Sequence, residues 1–395
     1  MSLKKSLSDG RLMRTRFVPL PGLYLILLTM CSVELLLSDS GIPADLKFAA
    51  SEFAFTTPPE TVPTYTNSFV QPVGEAPSVH AGTITQLNDG QLLAAWFGGA
   101  REGAKDVDIY CSRRLNQSQE WTPPTVIASR EQTTRDLRRY IKKLGNPILF
   151  ADTKGRVWLF YVTVSVGGWS GSSITVRYSD DNGKSWSTAN RLVTSPFLNV
   201  STLVKGSPVQ CESGHLLLPV YHEFVRKFGE VLTIDSNGQV VNKTRLTAHG
   251  GAIQPWLVPL DPQRSKAFYR NSGGTSHATL SNELPNVFAA ECEAVEATNI
   301  PNPDSAVAVI RRHNGGFLMA CNPTNVGRHQ LSLAVSTDGQ NWKLIHDIEH
   351  GDPPDEFSYP YLIKGNLDDY HLIYTWKRTK MRHVVFNEQW LGDQL

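Results

Sequence analysis

Two distant segments of this chain spell the same turn. Ser179-Asp180-Asp181-Asn182-Gly183-Lys184-Ser185-Trp186 fits S-x-D-x-G-x-x-W at every fixed position, and Ser336-Thr337-Asp338-Gly339-Gln340-Asn341-Trp342 fits it with one residue missing. In such a turn the aspartate accepts hydrogen bonds from nearby backbone N–H groups, the glycine takes positive φ and the tryptophan ring packs between sheets. Ser112 to Trp121 reads as a third, eroded copy without the Asp and the Gly. A repeated hairpin staple implies repeated sheet units, so these residues are assigned a structural role and no chemistry.

Beyond Pro58 the texture agrees. Gln91 to Phe97, Val157 to Val164, His215 to Val220, Lys266 to Tyr269, Gly316 to Ala320 and Tyr370 to Trp376 are short apolar runs set off by turn residues such as Asn88-Asp89-Gly90, which is the pattern of strands. Only Arg130 to Leu144, dense in charge, reads as an exposed loop or short helix. Strand pairs recur roughly every 40 to 55 residues, the period of a propeller blade. The expectation is an all-β, six-bladed β-propeller over residues 61–395 with blades near 78–125, 144–195, 203–245, 250–290, 304–350 and 356–390. Thr64 to Gln71 is expected to complete the ring beside the last blade, covering strand edges that invite aggregation.

Residues 1–60 differ. Lys4, Lys5, Arg11, Arg14 and Arg16 precede the apolar run Phe17 to Leu37, so this part is expected to be a signal or anchor leader followed by a linker. Residues 17–37 would serve as a possible membrane tether, with the propeller secreted, periplasmic or membrane-anchored outside the cytoplasm. The balance of 38 Lys and Arg against 37 Asp and Glu leaves no overall field to attract nucleic acid. Cys31 lies in the leader, and Cys111, Cys211, Cys292 and Cys321 lack the CxxC spacing of a metal cluster. Asn116, Asn199 and Asn242 stand in sequons.

From about Pro77 to its C-terminus the chain resembles the sialidase superfamily, in its BNR/Asp-box branch. That resemblance implies a propeller that holds a substrate carboxylate with three arginines, uses an Asp as acid/base and attacks through a Tyr activated by a Glu, with no cofactor and no metal. Carried over by position, Arg270 in Phe268-Tyr269-Arg270 and Arg328 in Gly327-Arg328-His329 match two of the arginines, and Tyr359 in Ser358-Tyr359-Pro360 matches the nucleophile. On the loop Gly98 to Asp108 the acid position falls on Asp106, with Glu102 and Asp108 as acidic neighbours. Two positions depart. His80, in Ser78-Val79-His80-Ala81, stands where the first arginine belongs, and Gln254, in Ala252-Ile253-Gln254-Pro255-Trp256, replaces the activating Glu. An unperturbed imidazole at position 80 makes the carboxylate grip pH-dependent. Glu223 or Glu356 is the candidate replacement base for Tyr359.

Asn146-Pro147, Lys205, Tyr221-His222-Glu223, Asn302-Pro303-Asp304-Ser305 and Trp376-Lys377-Arg378 stand beside strand ends, where propeller ligand sites are lined; the Asn-Pro and Pro-Asn steps are also ordinary turn formers. The function implied is an exo-acting glycoside hydrolase that releases a terminal acidic sugar, sialic acid or a related ulosonic or uronic acid. The alternative is a non-catalytic propeller that binds an acidic glycan.

Overall fold

Val157–Val164 and Ala252–Pro259 are buried at every residue. Each belongs to a sheet sandwiched between two others, so neither face is left for water and the runs are nearly continuous rather than alternating. Lys343–His350, at the outer edge of its sheet, buries no residue fully. In the computed structural model, which describes residues 46–395 apart from 55–60, 71–75, 116–117, 119, 196–198, 249, 274–276, 289–293, 314 and 367–368, six antiparallel sheets form the blades. The apolar leader and Cys31 lie outside the described residues, as do Cys292 and Asn116. Among the described residues no helix is long and apolar enough to cross a membrane.

The innermost strands follow one another around the ring: Ser78–Gln86, Lys143–Ala151, the split strand Leu203–Val204 and Val209–Gln210, Ala252–Pro259, Ala308–Arg311 and Phe357–Lys364. Neighbours in this series pack against one another and the last packs on the first, except that the third blade meets Ala252–Pro259 through its next strand, Leu216–His222. The ring is closed by Tyr65–Phe69, which pairs antiparallel with Lys380–Asn387 from the other end of the chain. The expected blade boundaries agree except that the fourth blade extends to Glu296–Pro301. A helix over Arg130–Leu137, N-capped by Ser129, precedes the second blade.

Both matching turns follow the third strand of a blade and clamp it to the preceding blade. Asp181 Oδ1 accepts from Lys184 N and Ser185 N at 3.0 and 2.8 Å, and Asp338 Oδ1 accepts from Gln340 N and Asn341 N at 2.8 Å each. Gly183 and Gly339 have φ of 79° and 72°. A Cβ on Gly183 would meet Leu93 of the first blade at 2.7 Å. Trp342 packs edge-on against Phe268 of the fourth blade at 5.6 Å, and Trp121 of the eroded copy packs edge-on against His383 of the sixth at 5.3 Å. The hydrogen bonds from Ser185 and Ser179 hold the Asp181 carboxyl below its usual range. Its contribution is therefore present above about pH 4 and is lost as pH falls toward the depressed folded value. Asp181→Ala is expected to lower Tm by a few degrees at neutral pH and leave turnover of the folded protein intact. The gap between the two melting curves should close in acid, and lost turnover at an unchanged Tm would contradict a purely structural turn.

The segment Leu46–Ala54, expected to be linker, docks on the propeller. Phe48 N donates to Pro262 O at 2.8 Å, Ala49 N donates to Gln210 O at 2.9 Å, and the Glu52 carboxylate accepts from Gln210 N at 2.8 Å. This strap borders one mouth of the axial channel, a cavity of about 280 Å³ lined by Ile84, Leu149, Val209, Leu257, Val309 and Leu362, one from each inner strand. Burial pushes the Glu52 carboxyl up to about 7. Cys111, Cys211 and Cys321 are buried free thiols, and Asn199 is buried with its amide donating to Leu192 O, which closes that sequon to a glycan.

Candidate active site

The opposite end of the channel is built where the inner strands break. Regular pairing is interrupted between His80 and Thr83, Gly145 and Ile148, Ile253 and Trp256, and Ser358 and Tyr361. Ala81, Asn146, Gln254 and Tyr359 occupy these bulges with φ of 55°, 39°, 51° and 55°. An extra residue in one strand re-aims a side chain out of the sheet alternation. In the third blade the inner strand is split across residues 205–208, and that gap holds Lys205. In the fifth, Asp304 ahead of the inner strand has φ of 57°.

Three of the bulge residues meet around two phenols. Gln254 Nε2 donates to Tyr359 Oη at 3.3 Å and to Tyr221 Oη at 3.2 Å, and Asn146 Nδ2 donates to Tyr221 Oη at 3.4 Å. Arg270 Nη1 donates to Tyr359 Oη and to Gln254 Oε1, both at 3.4 Å. Arg270 also fixes the Gln254 amide: turned over, it would set an NH₂ against a guanidinium. Gln254 thus occupies the place expected for an activator but donates to the phenol oxygen rather than taking its proton. With two donors aimed at it, that oxygen is prepared to carry negative charge.

A ladder of alternating charge runs beside Tyr359. Arg270 Nε pairs with Asp304 Oδ1 at 2.6 Å, and Arg328 Nη2 donates to the backbone oxygen of Asp304 at 2.8 Å. Arg328 Nη1 reaches Glu356 Oε1 at 3.3 Å, and Glu356 Oε2 receives Arg378 Nε at 2.8 Å. Arg378 Nη1 then reaches Glu102 Oε2 at 2.8 Å. The Arg328 guanidinium lies 5.8 Å from the Tyr359 ring centre. Burial raises the Glu356 carboxyl, but the bonds from Arg378 and Ser358 outweigh it and hold the group at about 2. So weak a base is a poor acceptor for a phenol proton. Glu223 lies within electrostatic range of Tyr221, and among the described residues no bond joins it to Tyr359.

His80 is 2% exposed, its ring 4.3 Å from that of Tyr359 and 5.7 Å from that of Phe97. Burial first, and then the charge of Arg378, pushes its pKa well below the ordinary imidazole value. The imidazole is thus not the unperturbed one for which a pH-dependent grip was expected, and it packs against the Tyr359 ring. Glu102 is turned to Arg378, and Asp108 accepts from Arg130 N at 3.3 Å. Asp106 is exposed on its loop with Oδ2 accepting from Ala100 N at 2.9 Å. The structure therefore brings His80, Gln254, Arg270, Arg328 and Tyr359 together, links Glu102 to them through Arg378, and leaves Asp106 exposed on its loop with no bond to the cluster among the described residues.

Lys205 lies beside Tyr359. Its ammonium donates to Pro360 O at 3.0 Å, directly after Tyr359, and lies 5.1, 5.7 and 5.8 Å from the ring centres of Tyr361, Tyr359 and Trp256. Burial pushes its pKa down to about 7. The unfolded chain keeps this proton to about pH 10.4, so stability rises with pH across the window between the two values and is lowest below about 7. Lys205→Met keeps the stem and drops the charge; it is expected to exceed wild type by about 1–3 kcal/mol at about pH 6. Thermal melts should show the gap closing by about pH 10, and a pH-independent gap would remove Lys205 titration as its cause.

A six-blade ring with these staples and one charged, bulge-built mouth defines a BNR-repeat propeller with a sialidase-like fold. The family model of the BNR repeat-like domain matches residues 90–372, and the chain belongs to that family. Among solved structures, the Hadza microbial sialidase Hz136 matches with a TM-score of 0.66 at 14% identity, over 82% of this chain and 68% of that one. A leech intramolecular trans-sialidase matches with a TM-score of 0.63 at 14% identity, over 85% of this chain and 72% of that one. A Dyadobacter fermentans protein of unknown function matches with a TM-score of 0.65 at 12% identity, over 82% of this chain and all of that one. These likenesses establish the fold. No curated protein matches the chain.

Proposed function

We propose that the protein is an exo-acting glycoside hydrolase that releases a terminal acidic sugar from glycoconjugates. The observation that carries this reading is the convergence of Tyr359 with Arg270 and Arg328 at one mouth of the ring. Guanidinium forks suit a carboxylate. Tyr359 gives its phenol proton to solvent water and its oxygen bonds to the anomeric carbon as the glycosidic C–O bond breaks, while Asp106 protonates the departing oxygen. Water, giving its proton to Asp106, then displaces the phenol, a retaining double displacement of the tyrosine type. Arg270 and Gln254 meet the charge on Oη at both stages. Sialic acid and related ulosonic and uronic acids are the substrate class, and the place of action is outside the cytoplasm.

Gln254 favours a second reading, a propeller that binds an acidic glycan without cleaving it, because it cannot accept the phenol proton. Aryl glycosides of sialic and uronic acids separate the two. Release of aglycone supports the hydrolase; a raised Tm without release overturns it in favour of the binding protein.

A further inference from the structure

Arg378 lies at the tip of the hairpin between Asp369–Trp376 and Lys380–Asn387. Thr379 N donates to Trp376 O at 3.1 Å, closing a turn whose central residues, Lys377 and Arg378, have φ of 49° and 54°. Hairpin turns with two positive-φ residues favour Asn-Gly or Asp-Gly, because a side chain is disfavoured there. Two long cationic residues hold this one, and its position is fixed from both sides: Lys377 N donates to Glu356 O at 2.7 Å, and Val79 N donates to Arg378 O at 2.9 Å. The turn thereby sets Arg378 against the backbone beside His80, whose imidazole burial pushes toward the uncharged form. Its guanidinium shares the Glu356 carboxylate with Arg328.

We propose that Arg378 is a substrate-binding residue that grips the ligand's anionic group from the His80 side, together with Arg270 and Arg328. The proposal rests on the reading of this mouth as an acidic-sugar site and adds to it the source of the charge on that side. Glu356 and Glu102, each bonded to Arg378, hold the guanidinium in place as positioning residues. An anion seated there faces guanidinium groups from the fourth, fifth and sixth blades, which favours a compact planar acid over an extended polyanion.

Calorimetric titration with sialic acid and with its methyl ester tests the proposal without requiring turnover. Arg378→Gln is expected to weaken the acid by about tenfold or more and leave the ester within about twofold, since only the acid carries the charge being gripped. Arg378→Lys keeps a cation between Glu356 and Glu102, so the fold is retained; it should give a smaller loss confined to the acid, and it decides the matter if the Gln variant does not fold. Equal changes for acid and ester, or no change for either, overturn the role of Arg378. The two readings fail separately. Discrimination of acid from ester that Arg378→Gln abolishes, in a protein that releases no aglycone, keeps Arg378 and removes the hydrolase; aglycone release with acid and ester equally affected does the reverse.

Discussion

Tyr359→Phe is expected to lower kcat by several orders of magnitude while leaving ligand affinity and Tm close to wild type. The phenol oxygen is the group that would bond to the sugar, and among the described residues Tyr359 is the phenol that accepts from both Arg270 and Gln254, whereas Tyr221 accepts from Gln254 and Asn146. The ring itself, packed on His80 at 4.3 Å, is retained in phenylalanine, so packing is preserved. A fluorinated substrate analogue should label Tyr359 in the wild type and nothing in the variant. Label on Glu223 instead would move the covalent step to the Tyr221 side of the site.

Asp106→Asn carries the second large effect. General acid catalysis contributes roughly 10²–10⁴-fold, and the loss should depend on the leaving group. A natural glycoside, whose alkoxide leaves poorly, should lose most of that factor. A nitrophenyl glycoside departs without help and should lose little at the first step, although its second step slows because no base remains to activate water. An equal loss for both substrates, with Tm unchanged, would place Asp106 in binding rather than proton transfer. The exposed position of Asp106, whose carboxylate accepts from Ala100 N, suits a group that must exchange its proton with solvent between turnovers.

The ring and its staples were legible because each rests on local rules. The Ser179 and Ser336 turns announce themselves in a handful of residues, and the strands come from uninterrupted apolar runs. Arg270, Arg328 and Tyr359 could be placed by position in a resemblance. Lys205, Asn146, Tyr221 and Arg378 stood out only as neighbours of strand ends, for physical reasons. Arg378 meets Glu102 across 276 positions of sequence, and the Lys377-Arg378 turn carries no glycine to mark it. The pH dependence read at His80 held for an unperturbed imidazole, and sequence says nothing of the burial that pushes this one down. Asn146-Pro147, Gln254-Pro255 and Tyr359-Pro360 each put a proline inside an apolar strand. Proline there removes a ladder donor, which within a strand points to a sheet edge or a bulge, and these inner strands are both.

The four bulges bear on how such a ring diversifies. Alanine, asparagine, glutamine and tyrosine, four chemically unrelated side chains, occupy corresponding breaks in four inner strands, all at positive φ. Pairing resumes on either side of each break, as at Val79 with Gly98 and Thr83 with Ala95. The backbone there is held by its flanks and not by the residue it displays. Shape and chemistry are thus inherited on separate accounts: a lineage can exchange what projects from the four breaks, and with it the reaction or the ligand, without renegotiating the architecture that surrounds them.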